Sequence, residues 1–296
     1  MLTDLKHLPV HWIDGMKISR RHFEETERYM HEQIRDCHAQ HLTDFNFGIL
    51  PADRSLDMNV FCDFSQQINI ELNSCKAITS NGSRIQVLPQ APVKINANFK
   101  EIATRYGLQL SQPQNMYIVV SVDIFTRIPA GEPILEETPP RHPYSQAEIK
   151  LDIIPVEYLN TVQLTSGLVI GKISYMNGEL IHQKEFIPPC TAVNSLPVVL
   201  DWFNKFRQLM ENCELYCVRI IQKVNGKGQQ PNALANSIQK LSEKVLEQLI
   251  SQKLHYKWII SKMPPVYLCE SLLRNIYHVY TSLQCYNEKD REEMLN

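Results

Sequence analysis

Eight apolar side chains, Val199, Phe203, Phe206, Met210, Cys213, Cys217, Ile220 and Val224, recur at alternating intervals of four and three. A 3.5-residue period held over about three and a half heptads has one geometric meaning: a long helix turning a narrow seam towards a neighbouring helix. Between Pro197 and Gly226 neither Gly nor Pro interrupts it. Two further stripes follow: Leu234, Ile238, Leu241, Val245 and Leu249 after Pro231, and Cys269, Leu272, Ile276 and Leu283 after Met263-Pro264-Pro265. Prolines near the starts and Gly226-Lys227-Gly228 in one loop predict three helices. Trp202, beside Phe203 and Phe206, is expected to pack within their bundle.

The rest of the chain obeys a different period. Of ten Gly and seventeen Pro in 296 residues, only two and four lie in residues 190–296, and the net charge changes from −5 over 1–189 to +3 over 190–296. Arg20 to His41 reads as one leading helix, with Phe23, Tyr29/Met30, Ile34 and Cys37 at helical spacing. After it the period is two. Ala147, Ile149, Leu151 and Ile153 alternate with Gln146, Glu148, Lys150 and Asp152, as in a half-buried strand, and Ile68, Ile70 and Leu72 repeat the pattern. Met116 to Phe125 is nearly continuous in apolar residues, the mark of a central strand. Asn81-Gly82 and Asn177-Gly178 supply the positive φ of tight hairpins. Five prolines between Pro129 and Pro143 cannot sustain a ladder of backbone donors and predict a long surface loop.

Charge and composition exclude several roles. A net charge of −2 leaves no bulk attraction for nucleic acid, so no nucleic-acid partner is expected. The longest apolar run, Met116 to Val122, is far short of the ~20 residues of a membrane-spanning helix. Asp4, Lys6 and His7 interrupt the start where a secretion signal needs a continuous apolar core, so a cytoplasmic location is expected. Eight cysteines without a CxxC pair read as reduced, mostly buried thiols.

No GxGxxG, P-loop, HExxH or GxSxG occurs, so no catalytic residue, enzyme activity or cofactor is expected. Cys37 and His41, four apart, could share a metal, but structural zinc needs four ligands and no second pair follows; no metal is expected, and imidazoles at a helix C-terminus suit the dipole. Cys213 and Cys217 share the seam and read as core. Glu136-Glu137 in the proline-rich loop read as a solvated acidic segment rather than a catalytic pair. Trp12 lies in Leu8-Pro9-Val10-His11-Trp12-Ile13, which suits either core or an anchor on a partner.

Val10-His11-Trp12-Ile13-Asp14-Gly15-Met16, His22-Phe23 and Phe47-Gly48-Ile49-Leu50 resemble the opening of the TssK family, the baseplate subunits of type VI secretion systems. Phe186-Ile187-Pro188-Pro189-Cys190 with Ser195-Leu196 resembles the family's junction between β-shell and helical neck, and Met263-Pro264-Pro265-Val266-Tyr267 the start of its last neck helix. Arg20 departs from the family, which commonly has a proline there.

The resemblance implies an α+β chain: an N-terminal antiparallel β-sandwich like the shoulder of phage receptor-binding proteins, with a leading helix, then a C-terminal helical bundle. The expected domains are a shell over 1–189 and a neck over 190–296. The family's C-terminal head is expected to be absent, since the chain stops near Tyr286 to Asp290, where it would begin; a fragment, or a short form such as the Bacteroidetes type, would account for that. The resemblance also implies a homotrimer docking on the wedge subunits TssF and TssG, at a baseplate attached to the inner membrane through the membrane complex. Expected partner contacts are Val10, Trp12, Met16 and the proline-rich loop with Pro133 and Pro139. The expected trimer interface is the seam: Val199, Phe203, Phe206, Met210, Cys213, Cys217 and Ile220. The rival reading is a phage-tail-like receptor-binding protein recognising a surface ligand.

Overall fold

The computed structural model describes residues 4–63, 67–109, 113–161, 164, 166–176, 179–226, 233–286 and 291–292. The chain forms two compact units, Met1–Thr191 and Ala192–Asn296.

The first unit opens with helix α1 (Arg20–Ala39) and continues as antiparallel strands. In one sheet the long strand β3 (Gln67–Ile78) pairs with four shorter ones: β1 (Gly48–Ile49), β2 (Leu56–Cys62), β4 (Arg84–Val87) and β5 (Val93–Asn98). The predicted alternation fixes its face, since Ile68, Ile70 and Leu72 are fully buried. A short helix, α2 (Phe99–Tyr106), which the periodicity did not predict, leads into the second sheet. There β6 (Gln114–Ala130) runs between β7 (Tyr144–Pro155) and β8 (Gly167–Met176), with β9 (Glu179–His182) beyond β8. Met116, Ile118, Val119, Val120 and Val122 of β6 are all buried, as a central strand covered on both faces requires. On β7 only Leu151 and Ile153 of the apolar set are fully buried; Ala147 and Ile149 are half-buried because they line a groove.

The Asn81-Gly82 turn forms as expected between β3 and β4, with Gly82 at φ +87°. Helix α1 rests directly on it: a Cβ at Gly82 would lie 2.3 Å from the Arg35 carbonyl oxygen, so only glycine allows that approach. The Asn177-Gly178 turn lies outside the described residues; Met176 and Glu179 pair across it.

Helix α1 inverts the expected burial. Phe23, Met30 and Ile34 are 57, 56 and 54% exposed, whereas Glu32 and Arg35 are buried. The inward face is organised by charge, because the Glu32 carboxylate lies 3.4 Å from the Arg35 guanidinium, which also meets Asp36 at 2.7 Å.

The second unit contains the three predicted helices, α3 (Pro197–Gly226), α4 (Ala233–Trp258) and α5 (Pro265–Gln284). Lys227-Gly228 and Pro231 fall outside the described residues. The α3 seam faces inward: Val199, Phe203, Met210 and Cys217 are buried and Phe206, Cys213 and Ile220 half-buried. Phe203 stacks on Tyr256 of α4 at 4.8 Å, Phe206 meets the same ring edge-on at 5.5 Å, and the Tyr256 hydroxyl donates to the Phe203 carbonyl at 2.9 Å. Burying each such aromatic contributes about 1.5–3 kcal/mol. Trp202, expected inside, is 58% exposed, because it sits one position off the seam.

Helix α5 follows expectation only in part. Leu268, Ser271 and Ser282 are buried; of the stripe read as lining the helix, Leu272 and Leu283 are half-buried, while Cys269 and Ile276 are exposed. Its inward contact with α4 is partly polar, and Gln252 Nε2 and Asn275 Oδ1 are buried there without a hydrogen-bond partner among the described residues.

Candidate docking surfaces

A buried carboxylate ties down the segment ahead of α1. The backbone N–H groups of His7 and Lys6 donate to Glu32 at 2.8 and 3.1 Å, and the His7 ring packs on Phe125 of β6 with centroids 4.4 Å apart. Burial alone pushes the Glu32 carboxyl up, but the amides of His7 and Lys6, and then Arg35, outweigh it and hold the group below the usual carboxylate range. The loop that follows turns at Gly15, where Met16 N–H donates to the Ile13 carbonyl at 3.2 Å.

With its backbone held there, the segment presents apolar side chains outward. Leu8, Trp12, Ile13 and Ile18 are 73, 50, 62 and 61% exposed. Val10 and Met16 are half-buried beside them, and the Trp12 ring meets His22 edge-on at 5.9 Å. Trp12 is therefore a surface residue. Monomeric proteins seldom expose this much apolar side chain in one run of sequence, and such surfaces mark contact sites.

The proline-rich segment is better ordered than a plain surface loop. Beyond a bulge at Ile124, Phe125 and Thr126, which the Asp123 carboxylate caps, β6 and β7 continue as a two-stranded arm from Arg127↔Ala147 to Ala130↔Tyr144. At its tip Ile134 N–H donates to the Arg141 carbonyl at 2.9 Å, and the Arg141 guanidinium pairs with Glu137. Pro133, Glu136 and Pro139 are exposed, and Leu135 is 80% exposed. Glu137 is occupied by Arg141, so the adjacent carboxylates do not form a pair facing one reacting centre.

Between α1 and the β6–β7 face lies a groove of about 550 Å³, lined by apolar and cationic residues together. Sequence periodicity missed it, because it exists only where α1 crosses the sheet. The available signal was the spacing of Glu32, Arg35 and Asp36, charged residues three and four apart on one helix face.

In the helical unit two stripes face outward. Trp202, Leu209 and Tyr216 of α3 recur every seven residues and are 58, 53 and 59% exposed. Val266, Leu273, Ile276 and Tyr280 of α5, 41, 54, 53 and 57% exposed, form with Cys269 a second 3-4-3-4 seam. The expected interface residues Val199, Phe203, Phe206, Met210, Cys213, Cys217 and Ile220 lie behind these stripes, against the helices of their own chain.

Cys37 is exposed at the end of α1, and no group of three or more His, Cys, Asp or Glu able to hold a metal occurs among the described residues. No helix among them is long and apolar enough to cross a membrane.

No protein-family model matches the chain, and no curated protein matches it in sequence. Solved structures share its fold. A crystal structure of TssK superposes with a TM-score of 0.57 at 15% identity, over 95% of this chain and 62% of that one. TssK from the type VI secretion system of EAEC, in complex with a nanobody, gives 0.54 at 12% identity over 88% and 86%. The baseplate complex of the type VI secretion system gives 0.55 at 11% identity over 94% and 88%. The chain thus spans less than two thirds of the first of these, and its fold, an antiparallel β part followed by a helical part, is TssK-like.

Proposed function

We propose that this TssK-like chain is a non-catalytic structural subunit of a type VI secretion baseplate, working as a homotrimeric adaptor. Its β unit docks on the wedge subunits TssF and TssG, and its helical unit gathers the three copies. The baseplate it joins lies on the cytoplasmic side of the inner membrane, where the membrane complex is the further partner.

The observation that carries this reading is the TssK-like fold combined with an apolar surface at Trp12 that the fold itself anchors. A segment tied down at Lys6 and His7 with exposed apolar side chains suits a docking surface, since less ordering entropy is lost on association. Trimerisation supplies multivalency: three equivalent weak contacts act at high effective concentration once one is made.

The contact between copies is proposed along the outward stripes of α3 and α5. The inward seam, including the half-buried Phe206, Cys213 and Ile220, backs that contact from within each copy. A 3-4-3-4 apolar seam left outside its own bundle is the pattern that meets an equivalent helix.

Co-purification from the native cell tests the assignment. The intact chain is expected to bring down TssF-like and TssG-like subunits in stoichiometric amount, and Trp12→Asp to lose them while keeping its own oligomeric mass. Absence of wedge subunits together with binding on a glycan array would replace this reading with the receptor-binding one.

A further inference from the structure

The arm and the groove of the β unit are complementary to each other, yet one chain cannot bring them together. Ile34, Ile128 and Ile149 line the groove together with Arg84, Arg127 and His38, and no carboxylate is among its lining residues within the described chain. Arg35 also reaches it, but Glu32 and Asp36 answer that charge. Arg127 donates only to Ser145, and Arg84 to Gln86, so neither guanidinium meets a carboxylate among the described residues. The volume, about 550 Å³, lies within the range of concave sites that enclose a ligand.

The arm tip carries the opposite chemistry. Glu132-Pro133-Ile134-Leu135-Glu136-Glu137 is acidic and apolar, and Leu135 at 80% is the most exposed large apolar side chain among the described residues. Glu132 and Glu136 have no cationic partner among those residues either. Prolines on both sides stiffen the tip, which lowers the entropy lost when it seats. Arg127, Ile128 and Gln146 at the arm's base form part of the groove wall. At about 3.4 Å per residue the ladder from there to Ala130 carries the tip on the order of 10 Å away from its own groove.

We propose that the arm tip of one copy seats in the groove of a second copy, Leu135 packing against Ile34, Ile128 and Ile149 and Glu132 and Glu136 meeting Arg84 and Arg127. Such a contact joins two different surfaces, so it closes into a ring when each copy gives one arm and receives one. The inference rests on the oligomeric reading above and adds to it a second, heterologous contact made by the β units.

A benzophenone amino acid placed at position 135 of the full chain tests this. Irradiation is expected to give a covalent dimer whose cross-linked peptides contain Ile34, Ile128 or Ile149 of the other copy. Arg84→Glu with Arg127→Glu should cut that product about tenfold, and adding Glu132→Lys with Glu136→Lys to the same chain should restore it. A particle of trimeric mass in which position 135 forms no interchain product, or only products mapping elsewhere, overturns the inference and leaves the trimer standing. A monomer at all concentrations overturns both. Should the charge variants fail to fold, the map obtained without them decides.

Discussion

Gly48 and Pro189, far apart in sequence, are in backbone contact: a Cβ on Gly48 would lie 2.0 Å from the Pro189 carbonyl oxygen. That oxygen accepts the Ile49 N–H at 2.8 Å, and Thr191 N–H returns a bond to the Ile49 carbonyl at 2.9 Å. Two of the short motifs that resemble the TssK family therefore meet as one piece of structure. With Gly48 at φ +116° as well, any side chain there is excluded twice, by conformation and by space.

Gly48→Ala should lower stability by about 3 kcal/mol, because strain at positive φ adds to a clash with backbone that cannot rotate away. Urea unfolding followed by tryptophan fluorescence and circular dichroism measures it. An unchanged midpoint would show that the Pro188-Pro189 segment moves freely.

Glu32 makes the N-terminal anchor pH-dependent. Its folded-state carboxyl is held below the ordinary value by the amides of His7 and Lys6 and by Arg35, after these overcome the opposing effect of burial. A depressed pKa contributes stability that is complete above the unfolded value of about 4.3 and is lost as pH falls through the folded one. Hydrogen exchange at Lys6 and His7 should therefore be slow at pH 7 and lose its protection in acid. Glu32→Gln should lose it at every pH, at a cost of about 1–3 kcal/mol.

Tyr256 joins α3 to α4 through both ring and hydroxyl. Tyr256→Phe should cost about 1 kcal/mol for the lost bond to the Phe203 carbonyl, and Phe203→Ala about 3–5 kcal/mol for the cavity left beside the ring. Thermal unfolding of the two variants should rank them in that order.

The cysteines report which faces are covered. Burial pushes the Cys75 thiol up to about 12 and the Cys190 thiol up to about 11, so both stay protonated and unreactive to iodoacetamide at pH 8. Cys37, Cys269 and Cys285 are exposed in the single chain. If copies meet on the outward stripe of α5, Cys269 alone of these three should label on the order of tenfold more slowly at concentrations where the oligomer forms, its thiolate being out of reach. Equal labelling of all three, read by mass spectrometry, removes α5 from the interface.

If copies meet on the α5 stripe, Leu273→Asp should dissociate them while leaving the helical content of the chain intact, because Leu273 is 54% exposed within its own unit. Light scattering with circular dichroism separates that result from unfolding. A charge introduced on the seam at Phe206 attacks the α3–α4 core itself, so Phe206→Asp should lose helix and mass together, at a cost of about 3 kcal/mol or more.

Periodicity made the elements legible where one face of a segment is decided by its own sequence. The 3.5-residue seam of α3, the alternation at Ile68 to Leu72 and the continuous apolar run of β6 each specify a helix, a half-buried strand or a central strand without reference to the rest of the chain. The charge balance and the missing catalytic motifs likewise belong to the sequence alone. Trp12 could not be assigned in this way, since its stretch fits core and surface equally.

What the sequence left undecided is which way two amphipathic helices turn. In α1 and α5 apolar residues recur at helical spacing, and periodicity alone sends such a face inward. The tertiary structure turns the α1 face out, because Glu32 gains the N-terminal amides and Arg35 on the inner side, and it splits the α5 stripe, since Ser271 and His278 meet α4 through Gln252 and the Lys244 carbonyl while Cys269 and Ile276 stay outside. An apolar stripe is lowered in free energy by leaving water, whatever covers it; its sequence records that it needs a partner, and only the packed chain shows that the partner is not its own core.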